Sequence, residues 1–311
     1  MKLVFCGTPQ FAVPTLEALL ASGHEIPLVV TQPDRPQGRG LELATSPVKH
    51  TAQRHSLRIE QPEKIKSNAD FRVLLEKIQP DAIIVVGYGR IVPPWMLALP
   101  KHGNINLHGS LLPKYRGAAP IQWAIAEGEK VSGVTSMLLN EGLDTGDILL
   151  QRELAIAPDD TAIGYGQRLA AVGAELMVET LRQLAAGTIK PQPQDHSRAS
   201  LAPILKKEDA QADFESPAQR IYNRLRGFQP WPGCYAVLKG KKLGITSAKV
   251  HSYSGTQPKG EMLVDRDQLF VICGENSALQ LLEVQPEGKR RMAAADFIRG
   301  YRPQSGEKLG A

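Results

Sequence analysis

The sequence is poor in cysteine, and its cysteines are not spaced as metal ligands or disulfide partners. There are three in 311 residues, Cys6, Cys234 and Cys273. Their number is odd and no CxxC pair occurs, so the sequence indicates neither a disulfide framework nor a thiolate zinc site. Isolated cysteines of this kind are typical of proteins in a reducing compartment.

Long apolar runs are missing as well. No segment approaches the roughly 20 apolar residues that a transmembrane helix needs, and the run from Leu3 to Cys6 is too short for a signal peptide. We therefore expect a cytoplasmic protein without a membrane partner. The composition, 42% hydrophobic and 22% charged, is typical of a globular protein, and a chain of 311 residues usually forms two domains.

The common nucleotide-binding loops are also absent. Gly7-Thr8-Pro9-Gln10 follows a short apolar run, as such loops do, but Pro9 and Phe11 stand where a GxGxxG loop would need glycines. No Walker-type phosphate-binding segment occurs either. The sequence therefore argues against NAD and ATP as cofactors and favours a plain strand-to-helix connection.

Acidic residues are absent from one long stretch of the chain. Residues 217–259 contain none, and the part from residue 206 onwards holds 17 Lys+Arg against 12 Asp+Glu, whereas residues 1–205 hold 20 of each. A surface of one sign suits phosphate groups, but composition alone leaves a merely solvated basic face equally open. The candidate nucleic-acid contacts in this stretch are Arg220, Arg224, Lys241 and Lys242.

Apolar periodicity predicts alternating strands and helices in the first half of the chain. The predicted strands are 3–6, 26–31, 82–86, 104–107 and 134–139, and the predicted helices are 11–22, 47–55, 69–78 and 161–186. Such alternation is typical of an α/β fold with a doubly wound, mainly parallel sheet. In these sheets ligands bind beyond the carboxyl ends of the strands.

The chain changes character after residue 187. Residues 188–208 are rich in proline and polar residues and predict a linker. A helix at 217–226 and short strands at 235–238, 243–250, 269–273 and 278–284 follow, a pattern typical of a small barrel that binds oligonucleotides. The predicted domains are thus a Rossmann-like catalytic unit over 1–187 and an OB-like β-barrel over 209–311. Trp231, between two prolines, is interpreted as a core or domain-interface residue.

Two polar side chains at the end of the strand predicted at 104–107 form the strongest candidate site. Asn106 and His108 are two residues apart, so both lie on one face of the strand. Gly109 and Pro113 then predict a turn. An amide and an imidazole that converge on one point can donate hydrogen bonds to a developing oxyanion. We therefore interpret the pair as catalytic rather than structural.

A second polar loop, residues 140–147, follows the strand predicted at 134–139. It can bring Asp144 beside His108, where the carboxylate would orient the imidazole and raise its pKa. The ligand spacing of an EF-hand is missing, and no third ligand accompanies His102 and His108 in the sequence. We therefore expect no bound metal ion.

These segments resemble the folate-dependent formyltransferases over nearly the whole chain. The most specific match is the run from Asn106 to Pro113 with Asp144 further on, together with segments 116–122 and 143–147. Segments 7–9, 31–36 and 228–232 narrow the resemblance to members that act on methionyl-tRNA. The resemblance implies an enzyme that transfers the formyl group of 10-formyltetrahydrofolate to methionyl initiator tRNA for translation initiation.

The resemblance also implies roles for individual residues. Asn106, His108 and Asp144 would form the catalytic set. The folate-binding residues would be Ser110, Leu111, Leu112, Pro113, Gly87, Tyr88, Arg90 and Ile91. The loop at 32–48 would enter the tRNA acceptor stem, and its basic groups are Arg35, Arg39 and Lys49. The segment 41–43, Leu-Glu-Leu, makes this loop less basic than in many relatives. We expect a monomer.

The catalytic motif alone does not decide which molecule accepts the formyl group. The same run could serve a nucleotide-sugar formyltransferase, a purine-pathway formyltransferase or a formylfolate hydrolase, and the basic C-terminal part favours tRNA among these acceptors. A non-catalytic RNA-binding relative is the alternative outside enzymes. The intact set of amide, imidazole and carboxylate argues against that alternative.

Overall fold

The computed structural model describes residues 1–37 and 42–310, and the chain divides into two compact units. The first comprises residues 1–120, 131–155 and 165–203, and the second comprises 121–130, 156–164 and the chain from 204 onwards. The second unit therefore takes in two segments from earlier in the sequence. The domain bounds predicted as 1–187, 188–208 and 209–311 stay a prediction.

The helices and strands follow one another as the periodicity of the sequence predicts in most places. Up to residue 203 they are β1 (Lys2–Gly7), α1 (Val13–Ala21), β2 (Glu25–Val30), β3 (Arg35–Gln37), β4 (Glu42–Ala44), α2 (Pro47–Arg54), β5 (Ile59–Glu60), α3 (Ala69–Ile78), β6 (Ala82–Val86), α4 (Pro94–Leu97), β7 (Asn104–His108), β8 (Arg116–Gly117), α5 (Pro120–Ala126), β9 (Val131–Leu138), β10 (Ile148–Ala155), α6 (Ala162–Ala186) and β11 (Leu201–Ala202). Beyond it they are α7 (Ala218–Gly227), β12 (Tyr235–Leu238), β13 (Lys241–Ser252), β14 (Met262–Asp265), β15 (Gln268–Cys273), β16 (Ser277–Pro286), β17 (Met292–Ala293) and α8 (Ala294–Tyr301).

Seven strands form the main sheet of the first unit, in the order β10-β9-β7-β6-β1-β2-β5. The strands from β7 to β5 are parallel to their neighbours, and β9 and β10 continue the sheet in the antiparallel sense. The chain first extends the sheet from β1 through β2 to β5, and then returns to the other side of β1 with β6 and β7. The sheet is doubly wound and mainly parallel, as predicted, and its switch point lies between β1 and β6.

The central strands are apolar because they lie inside the unit. All five residues of β6 and the last five of β1 are buried, which is typical of parallel strands covered on both faces. On one side, Phe71 and Leu75 of α3 pack in one core cluster with Val4 and Ile83 of the sheet. The bounds predicted for α3 and β6, 69–78 and 82–86, are confirmed.

Residues 32–48, predicted as one long loop, contain a short hairpin. Strands β3 and β4 are antiparallel, with Arg35 opposite Ala44. Arg39, which the resemblance gives as one of the basic groups of this loop, lies outside the residues that the structure describes. The loop is therefore a hairpin at its base, joined to α2 by a serine cap, since Ser46 Oγ accepts a hydrogen bond from the Lys49 N–H at 3.0 Å.

The segment predicted as a linker is attached to the first unit up to residue 203. Gln192 and Ile148 exchange two backbone hydrogen bonds, both 2.8 Å long. Further along, β11 runs parallel to β8, with Leu201 opposite Arg116. Residues 192–202 are therefore part of the first unit, bonded to it near both ends.

The sheet of the second unit is antiparallel, in the order β12-β13-β16-β15-β14. The last residues of the described chain connect its two outer strands. Gly310 exchanges two backbone hydrogen bonds with Val237 of β12, at 2.9 and 3.0 Å, and Met262 of β14 donates to the Glu307 carbonyl at 2.8 Å. Backbone hydrogen bonds of residues 307–310 therefore link the two outer strands of the sheet, as expected for a small barrel.

The described residues contain no helix that combines the length and the apolar character needed to cross a membrane. All three cysteines are buried and unbonded to one another. Burial raises the pKa of Cys234 and of Cys273 to about 12 and raises the pKa of Cys6 as well. The thiols are thus protonated core groups.

We expect Leu309→Ala to lower the free energy of unfolding of the second unit by about 2–5 kcal/mol. The Leu309 side chain is 2% exposed and packs in the core of that unit, in the segment that links the two outer strands. Urea denaturation of the full chain, followed by circular dichroism, measures the change. Leu282→Ala is the matched control, since Leu282 is 41% exposed and its loss should cost about 0.5 kcal/mol or less. Equal losses in the two variants would contradict a structural role for the linking segment.

Candidate active site

The candidate active site lies at the carboxyl end of β7. Strands β1, β6 and β7 are parallel neighbours, so their carboxyl ends meet at one edge of the sheet, beside the switch point. Strand β9 runs along the other side of β7, with Thr135 opposite His108 and Met137 opposite Asn106. Both candidate catalytic residues of β7 are therefore held by pairing.

Asn106 is 9% exposed, and its side-chain amide has no hydrogen-bond partner within the described part of the chain. Its Nδ2 and Oδ1 are not among the unpaired polar atoms that the described residues enclose completely, so the amide keeps contact with solvent. The backbone of this residue is fixed on both sides, opposite Val85 of β6 and Met137 of β9. An amide that is held in place but unpaired can receive a ligand oxygen, so we interpret Asn106 as a ligand-facing group.

His108 is 5% exposed, and its two ring nitrogens face different oxygen atoms. Nε2 lies 2.8 Å from the carbonyl oxygen of Tyr115. Since a carbonyl can only accept, Nε2 carries the hydrogen and donates it. Nδ1 lies 3.7 Å from Oδ2 of Asp144. In the neutral imidazole, an unprotonated nitrogen therefore faces a carboxylate, and the two residues are close together as the sequence predicts.

Burial lowers the pKa of His108 below its ordinary value of 6.5, because the charged imidazolium loses its hydration. The charge of Asp144 and the hydrogen bond to the Tyr115 carbonyl act in the opposite direction, and burial outweighs them. The prediction that Asp144 raises this pKa is right for its own contribution and wrong for the net shift. The imidazole is therefore neutral at pH 7.

Asp144 lies in a tightly folded loop that follows β9. Its backbone has a φ of +50°, in the left-handed region, which Asp adopts more readily than most residues. The N–H of Gly117 donates a hydrogen bond to Asp144 Oδ2 at 2.8 Å, so a backbone group orients the carboxylate. A Cβ atom on Gly146 would lie 1.7 Å from the carbonyl oxygen of Leu138. Only glycine fits there, and the loop can close against β9 for that reason.

The turn that follows β7 is held by its own polar groups. Ser110 is fully buried and donates its hydroxyl to a backbone carbonyl four residues later, at 2.6 Å. The N–H of Leu112 donates to Thr135 Oγ1 at 3.1 Å. Both residues, predicted as folate contacts, thus have their polar groups engaged inside the protein. The predicted contacts here that keep part of their apolar surface exposed are Leu111 and Pro113.

The segment after β6 combines buried and exposed groups. Tyr88 is 1% exposed and packs in the core, where burial raises the pKa of its phenol. Its carbonyl oxygen accepts a hydrogen bond from Gln32 Nε2 at 3.0 Å, and Gln32 Oε1 accepts one from Arg90 Nε at 2.9 Å. Gly87 is exposed, and Ile91 is 92% exposed. The Tyr88 ring is therefore a core group, whereas a ligand can reach the Ile91 side chain.

The hairpin of β3 and β4 is tied to the sheet at its base. Lys49 forms an ion pair with Asp34, and Gln61 Nε2 donates to Asp34 Oδ1 at 2.9 Å. These two bonds lower the pKa of the Asp34 carboxyl. The Lys49 side chain is 17% exposed and its charge is compensated, so this residue, predicted to contact tRNA, anchors the hairpin. Arg35 is exposed.

The basic residues predicted in the second unit divide into exposed and packed groups. The guanidinium of Arg224 lies over the rings of Phe228 and Trp123, at 5.6 and 6.0 Å from their centroids. Arg224 therefore supports the packing of α7. Trp231, interpreted from the sequence as a core or interface residue, is 51% exposed. The predicted RNA contacts whose side chains are exposed are Arg220, Lys241 and Lys242.

Sequence reasoning did not identify three groups that hold the catalytic side chains. They are the carbonyl of Tyr115, the N–H of Gly117 and the side chain of Gln194, whose Nε2 donates to the Asp144 carbonyl at 2.9 Å. The first two act through the backbone, so their side chains carry no signal. Gln194 lies 50 positions from Asp144, in a segment that the sequence marks only by its prolines.

The site combines one unpaired amide donor, one neutral imidazole and one carboxylate at the switch point of a doubly wound sheet. Within residues 1–37 and 42–310, no group of three or more His, Cys, Asp and Glu side chains is placed to hold a metal ion. An amide donor suits a developing oxyanion, and an imidazole beside a carboxylate suits proton transfer. Fold and site together define an enzyme that transfers an acyl group.

Comparison with known proteins identifies the family of acyl-transferring enzymes to which the chain belongs. The family model described as formyl transferase matches residues 1–181, and the model described as formyl transferase, C-terminal domain, matches residues 204–302. The chain belongs to the formyl transferase family. The resemblance inferred from the sequence is thereby confirmed.

Relatives and solved structures extend the match. Two proteins named methionyl-tRNA formyltransferase, from Koribacter versatilis and Acidobacterium capsulatum, are 59% and 57% identical over all of this chain and over 99% and 100% of their own length. An N-formyltransferase from Helicobacter canadensis, solved in complex with folinic acid and dTDP-3-aminofucose, has a TM-score of 0.67 over 92% of this chain and 99% of its own. Its identity of 18% shows the fold alone.

We expect the His108 ring to titrate below pH 6.5 in an NMR titration of the full chain, because burial lowers its pKa. Asp144→Asn removes a contribution that raises the pKa, so the midpoint should move further down. Asp70→Asn, at an exposed position of α3, is the control and should leave the His108 curve in place. A midpoint above 6.5, or one that rises in Asp144→Asn, would contradict the assignment.

Proposed function

We propose that this protein transfers the formyl group of 10-formyltetrahydrofolate to the α-amine of methionyl initiator tRNA, giving N-formylmethionyl-tRNA and tetrahydrofolate for translation initiation. The observation that carries the proposal is the match over the full length of the chain, second unit included, to relatives named methionyl-tRNA formyltransferase. The site supports it, because Asn106, His108 and Asp144 supply the groups that acyl transfer to an amine needs.

The residues around the site fit a formyl-bearing folate. The amide of Asn106 is available for the formyl oxygen. The exposed side chain of Ile91 and the half-buried Leu111 and Pro113 offer apolar surface to a planar ring. When bound, the donor supplies an electrophilic formyl carbon attached to a nitrogen leaving group.

Asn106 acts on the charge that develops on the formyl oxygen. As the neutral amine attacks the formyl carbon, the carbonyl bond opens and negative charge collects on this oxygen. The Asn106 N–H donates to it from a position that pairing with β6 and β9 already fixes. A donor of this kind typically contributes about 10² to 10³ in rate.

His108 moves the proton that the amine must lose. Because Nε2 is engaged with the Tyr115 carbonyl, Nδ1 is the nitrogen that accepts this proton, directly or through a water. The imidazolium formed then has its charge beside Asp144, 3.7 Å away. In that state Nδ1–H can donate to the oxyanion, the role inferred from the sequence, and then return the proton to the departing nitrogen.

Exposed cations in each unit supply the phosphate contacts. In the first unit Arg35 is the exposed basic residue at the base of the hairpin, and Arg39 in the same loop stays a prediction. In the second unit Arg220, Lys241 and Lys242 are exposed in or next to α7 and β13. Phosphate contacts give affinity without sequence choice, so the choice of initiator tRNA rests on contacts at its acceptor end. A monomeric state also stays a prediction.

Formyl transfer to charged initiator tRNA, charged elongator methionyl-tRNA and an amino-sugar nucleotide tests the proposal directly. We expect transfer to the initiator tRNA above all, and losses in kcat/KM of about 10² to 10³ for Asn106→Ala and for His108→Ala. His55→Ala, at an exposed position at the end of α2, is the control and should keep wild-type turnover. Preference for the sugar nucleotide would overturn the proposed acceptor, and near-normal turnover in the two site variants would overturn the mechanism.

The affinity for tRNA should fall when Lys241 and Lys242 are both replaced by Ala. Each lysine that neutralises a phosphate contributes about one to the slope of log Kd against log salt concentration, so the slope should decrease by about two. Filter binding between 50 and 200 mM salt measures it. Lys77→Ala, at an exposed position of α3, is the matched control. An unchanged slope in the double variant would remove this strand from the RNA-binding surface.

A further inference from the structure

The side chain of Gln194 is almost completely buried, at 6% exposure, and every polar atom of its amide is used. Its Oε1 accepts two hydrogen bonds from Arg116, from Nε at 3.1 Å and from Nη2 at 2.6 Å. Its Nε2 donates to the carbonyl oxygens of Asp144 at 2.9 Å and Gly146 at 2.7 Å. A single amide thus joins a buried guanidinium to the loop that carries the candidate catalytic carboxylate.

The partners fix which way round the amide stands. A guanidinium only donates and a carbonyl only accepts, so the oxygen of Gln194 must face Arg116 and the nitrogen must face the loop. Arg116 is itself 7% exposed, and its Nη2 also donates to His196 Nδ1 at 3.1 Å. Arg116 cannot accept a hydrogen bond, and the loop carbonyls cannot donate one. The contact is therefore directional and cannot be reproduced by a side chain that lacks either function.

Gln194 binds the backbone of Asp144, whereas Gly117 binds only its carboxylate. Gly117 orients the carboxylate through Oδ2, whereas Gln194 holds the carbonyl of the same residue. Asp144 has a left-handed backbone, with φ at +50°, a conformation that persists when its surroundings impose it. Two bonds on opposite ends of one residue, together with the bond to Gly146, impose it here.

The segment that carries Gln194 is itself fixed at both ends. Gln192 pairs with Ile148 of β10 by two backbone hydrogen bonds. At the other end, Ser200 Oγ accepts from the Tyr115 N–H at 2.9 Å, and the Ser200 carbonyl accepts from the Arg116 N–H at 2.8 Å. Tyr115 is also the residue whose carbonyl receives the His108 hydrogen bond. One segment therefore bonds both to Tyr115, which positions His108, and to the backbone of Asp144.

We propose that Gln194 is a positioning residue for formyl transfer, which holds Asp144 at its working distance from His108 through the loop carbonyls while Arg116 holds the amide. This inference rests on the proposed function for its kinetic consequence. Its structural consequence does not depend on any substrate, because the arrangement of Asp144 beside His108 exists in the protein alone.

Gln194→Met tests the inference, since methionine keeps the length of the side chain and removes both hydrogen-bonding functions. We expect kcat to fall about 10- to 100-fold, as for displacements of about 1 Å in a catalytic group, with the KM for the charged initiator tRNA unchanged. Gln194→Glu keeps the contact with Arg116 but turns an oxygen toward the loop carbonyls, so it should lose as much. Rescue of kcat by the glutamate variant would overturn the assigned donor role.

The NMR titration of His108 supplies a readout that general destabilisation would not move. Asp144 is the one charged group whose field acts on His108 among the contributions that shift its pKa. Displacing Asp144 removes a contribution that raises the pKa, so Gln194→Met should move the His108 midpoint to lower pH, as Asp144→Asn does. An unmoved midpoint in the folded variant would overturn the proposal.

Asn104→Leu is the matched control. Asn104 is 1% exposed, and its Nδ2 donates to two backbone carbonyls, those of Met96 at 2.9 Å and Leu97 at 3.2 Å. The variant leaves two carbonyls unpaired, as Gln194→Met does, but these carbonyls belong to α4, whereas those that Gln194 holds belong to the catalytic loop. With melting temperatures measured in parallel, equal losses of kcat or equal shifts of the His108 midpoint in the two variants would overturn the proposal.

A double-mutant cycle decides whether Gln194 acts through Asp144. In the Asp144→Asn background, Gln194→Met should cost little further activity, because the group that it positions has already lost its charge. Full additivity of the two losses would overturn the positioning role. If the wild-type chain fails to formylate charged initiator tRNA, the proposed function fails, and the titration arm still tests the positioning of Asp144 separately.

Discussion

The central interaction of this protein is the contact of one buried imidazole with two oxygen atoms that can both only accept hydrogen bonds. The Tyr115 carbonyl fixes the hydrogen on Nε2 of His108, and burial keeps the ring neutral, so the lone pair of Nδ1 faces the Asp144 carboxylate. While His108 is neutral, the Nδ1 lone pair and the Asp144 carboxylate cannot form a hydrogen bond with each other. Their contact becomes favourable once a proton arrives on Nδ1, because the new charge then has a fixed counter-ion. The site is thus organised for a protonated state that it holds only during reaction.

That organisation depends on elements that meet only after the sheet is assembled. The reversal of chain order between β1 and β6 opens the edge where the site lies, and β9 adds an antiparallel strand that holds the other side of β7. The pairing of residues 192–202 with β8 and β10 then supplies hydrogen-bond partners for Tyr115 and Asp144. The catalytic side chains come from strands and loops that are far apart in sequence, while their supports are largely backbone groups.

Features set by local pattern could be predicted from the sequence, and features set by distant partners could not. The uninterrupted apolar run marked β6, and the two-residue spacing placed Asn106 and His108 on one face. The net pKa of His108 depends on burial, which no local pattern contains. The role of Lys49 depends on Asp34, 15 positions away, and that of Gln194 on a loop 50 positions away. Strand β10 was not predicted; it lies at the edge of the sheet, and Leu149 is its one buried residue, so it lacks the apolar run that marks β6.

The backbone hydrogen bonds that link the outer strands of the second unit limit how these strands can bind another molecule. Both outer strands, β12 and β14, already bond to the segment that ends the described chain, so their backbone groups are not available for an added strand from another molecule. Recognition at these two strands must then use side chains that project from the sheet. Such a surface can change its ligand preference by exchanging single residues, without any change to the backbone that carries them.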